Sequence, residues 1–246
     1  MQMTNNTILI TGGGSGIGRG LAEALHARGN NVIIAGRRAA LLEQVAAANP
    51  GIATATLDVS DAADIARFAT EILAAHPALN VLIHNAGIMG PESLTSPDYD
   101  LAYSELTVAT NILGPLRLNA ALLPHLTAQP RATIATVTSG LAFVPLAAAP
   151  TYSATKAAMH SWTESLRHQL RDSNVEVIEI APPAVATDLM PGHADDPNSM
   201  PLADYIAETM AQLEAQAPEN LVENVKFLRF AEARGDYAEV FKAVNG

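Results

Sequence analysis

The stretch TILITGGGSGIG, residues 7–18, decides how the rest of the chain is read. Thr7 to Thr11 are β-branched or leucine, the composition of a strand buried on both faces. Glycines then break the strand, and residues 17–28 read as a helix that Gly29-Asn30 stops. Strand, glycine turn and helix in that order place backbone amides and a helix N-terminus where they hold a pyrophosphate. Gly12, Gly16 and Gly18 permit the tight turn and the close backbone approach. The spacing is not G-x-G-x-x-G. It is not a phosphate-binding Walker loop either, because Arg19-Gly20 stands where Lys-Ser/Thr is needed. A glycine-rich turn that merely packs helix on sheet is the competing reading.

Outward from this unit, short β-branched runs alternate with helical stretches. Strands are expected at 32–35, 53–57, 81–84, 133–138 and 175–180. Helices are expected at 39–48, after a cap at Ser60 or Asp61, over about 100–125 with a kink at Gly114-Pro115, and at 152–171. The third helix carries Ile65, Phe68, Ala69, Ile72 and Leu73 on one face. Strands separated by helical crossovers imply an α/β fold with a mostly parallel sheet covered on both sides. Residues 1–246 read as one domain. The proline-rich, aperiodic region that opens at Pro182 reads as a substrate lid at about 182–215.

Composition narrows the function classes. The chain has 246 residues, 49% hydrophobic but only 4% aromatic, so its core is aliphatic. Acids outnumber bases 25 to 14, for a net charge of −11, which disfavours a nucleic-acid partner. Zero cysteines remove thiolate chemistry and disulfides. The N-terminal MQMTNNT lacks the order of a signal peptide, and no apolar run approaches the roughly 20 residues of a membrane span. A cytoplasmic protein with no membrane partner is expected.

Two constellations carry chemistry. At the end of the second strand, where an NAD site places an acid, the chain reads Ala35-Gly36-Arg37-Arg38. Two guanidiniums favour a ribose 2′-phosphate, so NADP is expected as cofactor, with NAD less favoured. Further on, Tyr152 and Lys156 lie four apart on one helix face, and Ser139 follows the fifth strand at its C-terminal end. A phenol has an ordinary pKa of about 10, and a neighbouring ammonium and an oxidised nicotinamide both favour its phenolate. Such a group can exchange a proton with a carbonyl–alcohol pair while Ser139 binds the oxygen.

With TGGGSGIG at 11–18, AspVal at 58–59, AsnAlaGly at 85–87, Asn111, Ser139 and Tyr-x-x-x-Lys at 152–156, the sequence resembles the short-chain dehydrogenase/reductase superfamily from about residue 7 to 190. ProProAlaVal at 182–185 and the tail LysPheLeuArgPheAlaGluAlaArgGly at 226–235 look like its DltE branch. The resemblance implies a Rossmann-like doubly wound sheet of six or seven strands in the order 3-2-1-4-5-6. It also implies that Tyr152 is the general acid/base, that Lys156 binds the nicotinamide ribose, that Ser139 orients the carbonyl and that Asn111 holds a relay water. Cofactor contacts are implied for Gly12, Gly14, Ser15, Gly16, Ile17, Gly18, Arg37, Arg38, Asp58, Val59, Asn85, Ala86, Gly87, Pro182, Val185 and Thr187, along with Tyr152 and Lys156. The chain departs from the family pattern at His84, often Asn, and at Pro182-Pro183, usually Pro-Gly. The family's C-terminal strand pattern is missing, so 238–246 is open between strand and helix.

No Lys or Arg occurs between Arg171 and Lys226, nor in 88–98 or 140–150. An anionic substrate needs cationic partners. A small neutral ketone, aldehyde or alcohol is therefore expected, with Leu141, Ala142, Phe143, Val144, Pro145 and Leu146 as an apolar rim joined by Met89, Leu189 and Met190. Alternatives are a 3-hydroxy acid or 3-oxoacyl reductase and, from another class, an NADP(H)-binding redox sensor. No metal is expected, and His160, His168 and His193 receive no catalytic role. The resemblance also implies a homo-oligomer, dimer or tetramer, built partly through the helices near 100–125 and 152–172, where the alanine-rich faces of Ala120, Ala121, Ala154, Ala157 and Ala158 would permit close packing.

Overall fold

The computed structural model describes residues 1–190 and 192–246, and of His193 the backbone alone. Its elements run β1 Thr7–Thr11, α1 Gly16–Ala27, β2 Asn31–Gly36, α2 Ala39–Ala48, β3 Ala53–Thr56, α3 Ala62–Ala75 and β4 Leu79–His84. They continue with α4 Leu101–Val108, a π-helical turn at Ala109–Leu113, α5 Gly114–Ala128, β5 Ala132–Val137, α6 Pro150–Gln169 and β6 Val175–Ile180. The chain then forms α7 Leu202–Glu214, β7 Glu219–Asn220, α8 Lys226–Arg229, α9 Ala231–Arg234 and α10 Tyr237–Asn245.

The strands form one parallel sheet in the order β3-β2-β1-β4-β5-β6-β7. Successive side chains of a strand point to opposite faces, so β1 divides between two cores. Ile8 and Ile10 pack with Leu21 and Leu25 of α1 and with Tyr205 of α7. Leu9 packs on the other face with Phe68 of α3, Leu118 and Leu122 of α5, and Leu166 of α6. That double burial explains the unbroken apolar run, and each such side chain contributes about 1.5–3 kcal/mol by transfer from water. Strand order reverses at β1 and β4, and the crevice that opens there, at the C-terminal strand ends, is where this architecture binds ligands.

Four local readings are refined by the structure. Asp61, not Ser60, caps α3 by accepting from the amides of Ala63 and Asp64. The break in the long helix is centred on the π turn that contains Asn111, just before Gly114-Pro115. A seventh strand exists, but it is the two-residue β7 beside β6 rather than the tail, and the tail is helix α10. Finally, the 28-residue span Leu101–Ala128 contains an 18-residue window of mean hydropathy 1.2, long and apolar enough by composition to cross a membrane. Here it packs within the domain, with Leu118, Leu122 and Leu126 in the core.

Candidate active site

A cleft of about 1700 Å³ runs along the C-terminal strand ends, from the glycine loop to α10. At the loop, the Gly12 amide donates to Ala35 O at 2.7 Å, which ties the turn to β2. Gly12 and Gly16 have φ of +70° and +53°, a region costly for side chains with a Cβ. A Cβ on Gly18 would stand 2.4 Å from the Gly12 carbonyl oxygen. The bare backbone therefore forms a cradle that fits a pyrophosphate. Gly12, Gly14, Ser15, Gly16 and Ile17 line the cleft, whereas Gly18 packs beneath them.

Asn85 fastens the opposite wall. Its Nδ2 donates to Thr11 O at 2.9 Å, and its amide donates to Thr11 Oγ1 at 3.1 Å. Ala86 and Gly87 continue that wall, and Pro182, Val185 and Thr187 supply the facing one. The Thr187 methyl would lie 3.4 Å from a Cβ on Gly16, so the 182–200 segment reaches across to the glycine loop. Its base is pinned by the Val185–Met200 bridge. From Leu202 onward, the expected lid is instead helix α7, which buries Tyr205, Met210 and Leu213.

Arg37 and Arg38 both line the cleft past the end of β2, and Arg38 Nη2 donates to Ser15 Oγ at 3.1 Å. Val59 lines the cleft too. Asp58 does not: its Oδ1 accepts from the amide of Ser60 at 2.9 Å and from the Ser60 hydroxyl, so this carboxylate shapes the turn before α3.

At the other end, Ser139, Tyr152 and Lys156 meet on one wall, each at most 6% exposed. β5 delivers Ser139, whose Oγ accepts from the Leu141 amide at 3.1 Å. α6 delivers the other two one turn apart, with Lys156 Nζ 5.5 Å from the Tyr152 ring centre and donating to Val137 O at 2.9 Å. Burial pushes the Tyr152 phenol up to about 12, with Ser139 acting in the opposite direction. Burial also brings the Lys156 ammonium down to about 8. The protein alone thus keeps the phenol protonated, and lowering its pKa needs positive charge nearby.

Asn111 is buried behind this wall rather than lining the cleft. Its side chain accepts from the Ile88 amide at 2.9 Å and donates to Ile88 O and Thr155 Oγ1. His84 is fully buried; burial takes its ring down to about 3, hence neutral, and it meets Trp162 edge-on at 6.3 Å. His84 is thus a core residue, while Asn111 ties the π turn to Ile88 and to Thr155 of α6. Among the described residues, His160, Glu179 and Glu219 bring possible ligand atoms within 4.8 Å of one another. They already have partners: Glu179 accepts from Thr138 and pairs with His160, and Glu219 pairs with Arg229 at 2.5 Å.

The apolar rim is only partly as expected. Leu141, Leu146, Met89 and Leu189 line the cleft, and Met190 packs beside Met89 and Tyr152. Val144 is instead buried with Leu228 and Ala231, and Phe143 turns toward His160 and Arg229. Sequence reasoning missed the fourth side of the cleft, formed by Phe227, Leu228, Ala243 and Val244. α10 is latched there by Asn245, which accepts from the Ala147 amide at 2.5 Å and donates to Pro145 O at 3.1 Å. The i, i+3, i+4, i+7 spacing of Tyr237, Val240, Phe241 and Val244 signals a helix but not which cleft it closes.

Comparison with known proteins yields a match of residues 6–198 to the short chain dehydrogenase family model. The uncharacterized oxidoreductase DltE of Bacillus subtilis (strain 168) is 42% identical over all of this chain and 98% of its own length. A short chain dehydrogenase of Burkholderia cenocepacia J2315, solved in complex with NADP, superposes with a TM-score of 0.82 at 26% identity, covering 98% of this chain and 99% of that one. A short chain dehydrogenase/reductase of Burkholderia phymatum, solved with NAD, superposes with a TM-score of 0.81 at 22% identity over 98% of this chain and 96% of its own.

Proposed function

The chain belongs to the short chain dehydrogenase family, and from that premise we propose that it is an NADP-dependent carbonyl reductase or alcohol dehydrogenase acting on small neutral substrates. The observation that carries this reading is the convergence of Ser139, Tyr152 and Lys156 at one end of the glycine-loop cleft. The nicotinamide, when bound, supplies the hydride and, once oxidised, a positive charge. Ser139 hydrogen-bonds the carbonyl oxygen, and Tyr152 gives that oxygen its proton, or removes it in the reverse direction. Lys156 holds the ribose and adds its own positive charge beside the phenol.

NADP rather than NAD is favoured by Arg37 and Arg38 on the cleft, with no acid between Gly36 and Leu42. A neutral substrate is favoured by the cations of the cleft lining: Arg19, Arg37 and Arg38 stand at the cofactor end, and Lys156 is committed to catalysis. NADPH and NADH oxidation against a panel of neutral ketones and aldehydes tests both points. Faster turnover of acidic substrates would refute the first-choice substrate, and preference for NADH would refute the cofactor. A homo-oligomer is part of the reading, because Leu101, Leu106 and Leu113 stay exposed on the long helix together with Ala120 and Ala121. Ala154, Ala157 and Ala158 are likewise exposed on α6. Light scattering that shows a monomer would refute it.

A further inference from the structure

Helix α6 carries Tyr152 in its first turn, yet its N-cap, Ala149, makes no side-chain capping bond. The first four N–H groups of a helix have no acceptor within it. A residue from a distant loop answers this need. Glu92 Oε2 accepts from the Thr151 amide at 3.0 Å, and its Oε1 accepts from the Thr151 hydroxyl at 2.8 Å. The hydroxyls of Ser104 on α4 and of Tyr99 donate to the same Oε1. In return, the Glu92 amide donates to Ala148 O at 2.9 Å.

All these donors are neutral, and among the described residues no cation pairs with Glu92. Burial alone would raise its pKa, but the hydrogen bonds from Ser104, Thr151 and Tyr99 outweigh burial and hold it below the ordinary carboxyl value. A carboxylate at a helix N-terminus is also favoured by the helix dipole. The loop that bears Glu92 bears Met89 as well, and Met89 packs against Ala149 and Tyr152 over the cleft. One carboxylate thus fastens the 85–100 loop, α4 and the first turn of α6 at the place where the phenol is aimed.

We propose that Glu92 is a positioning residue for Tyr152, a cap lent from outside the helix that fixes where the phenol meets the substrate oxygen. The inference rests on the reading of Tyr152 as proton donor. Both Glu92 oxygens accept, so Glu92→Gln sets an NH₂ against at least one donor at nearly constant size. At saturating NADPH it should lower kcat by about 10–100-fold, as small misplacements of reacting groups do. The Kd for NADPH should stay within about twofold, because the glycine loop is untouched. Glu92→Asp, which keeps the charge, should recover part of the loss. Hydrogen exchange at the Thr151 and Tyr152 amides should quicken by about tenfold in Glu92→Gln, with residues 12–18 unchanged.

A folded Glu92→Gln with wild-type kcat overturns the proposal. So does loss of NADPH binding in step with kcat, which marks a general structural role, or an aspartate variant no better than glutamine. Wild-type protein that turns over no carbonyl or alcohol marks failure of the functional reading instead. The exchange measurement then decides alone, and unchanged exchange at Thr151 and Tyr152 overturns the cap.

Discussion

Replacing Gly18 by alanine should damage cofactor binding more than its modest chemistry implies. The new Cβ would lie 2.3 Å from Asn85 Nδ2 and 2.4 Å from the Gly12 carbonyl oxygen, distances that real Cβ atoms do not show. Gly12 cannot easily withdraw, because its amide is bound to Ala35 O. Asn85 must therefore yield, and it is the side chain that bonds Thr11 O and Gly12 O. Alanine gains about 1 kcal/mol over glycine as a helix former. Overpacking costs about 1–3 kcal/mol, and each lost hydrogen bond costs about 0.5–1.5 kcal/mol. The balance is a destabilisation of about 1–5 kcal/mol, where each kcal/mol lowers Tm by roughly 2–4 °C at this chain size. The shift reaches the phosphate cradle directly, so the Kd for NADPH should rise by about tenfold or more, that is by at least ~1.4 kcal/mol. Thermal melts and fluorescence titration with NADPH measure both. Gly29→Ala is the control: its Cβ would meet nothing within 4 Å, but φ is +83°, so strain should lower stability and leave affinity unchanged. Wild-type NADPH affinity in Gly18→Ala, or equal losses in both variants, would refute the reasoning.

Arg37→Ala and Arg38→Ala should each raise KM for NADPH by about tenfold while KM for NADH moves little, since a charge-assisted phosphate contact is lost only with NADPH. Equal effects on both cofactors in steady-state assays would count against a 2′-phosphate site. Tyr152→Phe should cut kcat by about 10²–10⁴-fold and keep NADPH binding; retained turnover would remove Tyr152 from proton transfer. The His160–Glu179 pair predicts a pH effect on stability. The Glu179 hydrogen bond raises the folded-state pKa of His160 above the ordinary value of about 6.5; the Glu179 and Glu164 charges add to the rise, while burial and Arg229 oppose it. Its stabilisation is thus fully present below about pH 6.5 and is lost as pH rises through the raised value. Urea unfolding across that window should show a loss in wild type that His160→Gln lacks, and parallel curves would refute the pairing.

The parts of this molecule that were legible in its sequence have local causes. TILITGGGSGIG needs only its own order to become strand, turn and helix, and the Tyr152–Lys156 spacing puts both on one face of α6 whatever packs around them. The parts that were not legible depend on contacts between distant segments. Asp58 accepts from Ser60 and lies outside the cleft lining, a local bond the pattern AspVal does not reveal. β7 is two residues long, too short for any periodicity, and exists because β6 leaves an edge for it. Val144 and Leu141 look alike in a rim of apolar residues, yet one faces α8 and α9 while the other faces the cleft. Glu92 caps a helix 59 positions away, and Asn245 anchors α10 to residues about 100 positions earlier.

These distant contacts gather at one end. The glycine loop and the Arg37–Arg38 turn hang directly on β1 and β2, so motif spacing carries that end of the cleft. The substrate end is assembled from the 85–100 loop, the 140–150 loop, the 182–200 segment, α8 and α10, five pieces with no fixed spacing among them. A sequence can therefore announce its family through the glycine loop and the Tyr152–Lys156 pair and still conceal the substrate. The side chains expected to decide it, Met89, Leu141, Phe227 and Val244 among them, come together from those separate pieces, with Glu92 and Asn245 fastening the 85–100 loop and α10. If that is right, substitutions at those four positions should redistribute activity across a ketone panel without moving KM for NADPH, whereas substitutions at Arg37 and Arg38 should do the reverse. A substrate profile that shifts with the arginines but not with the apolar wall would break the division between the two ends of the cleft.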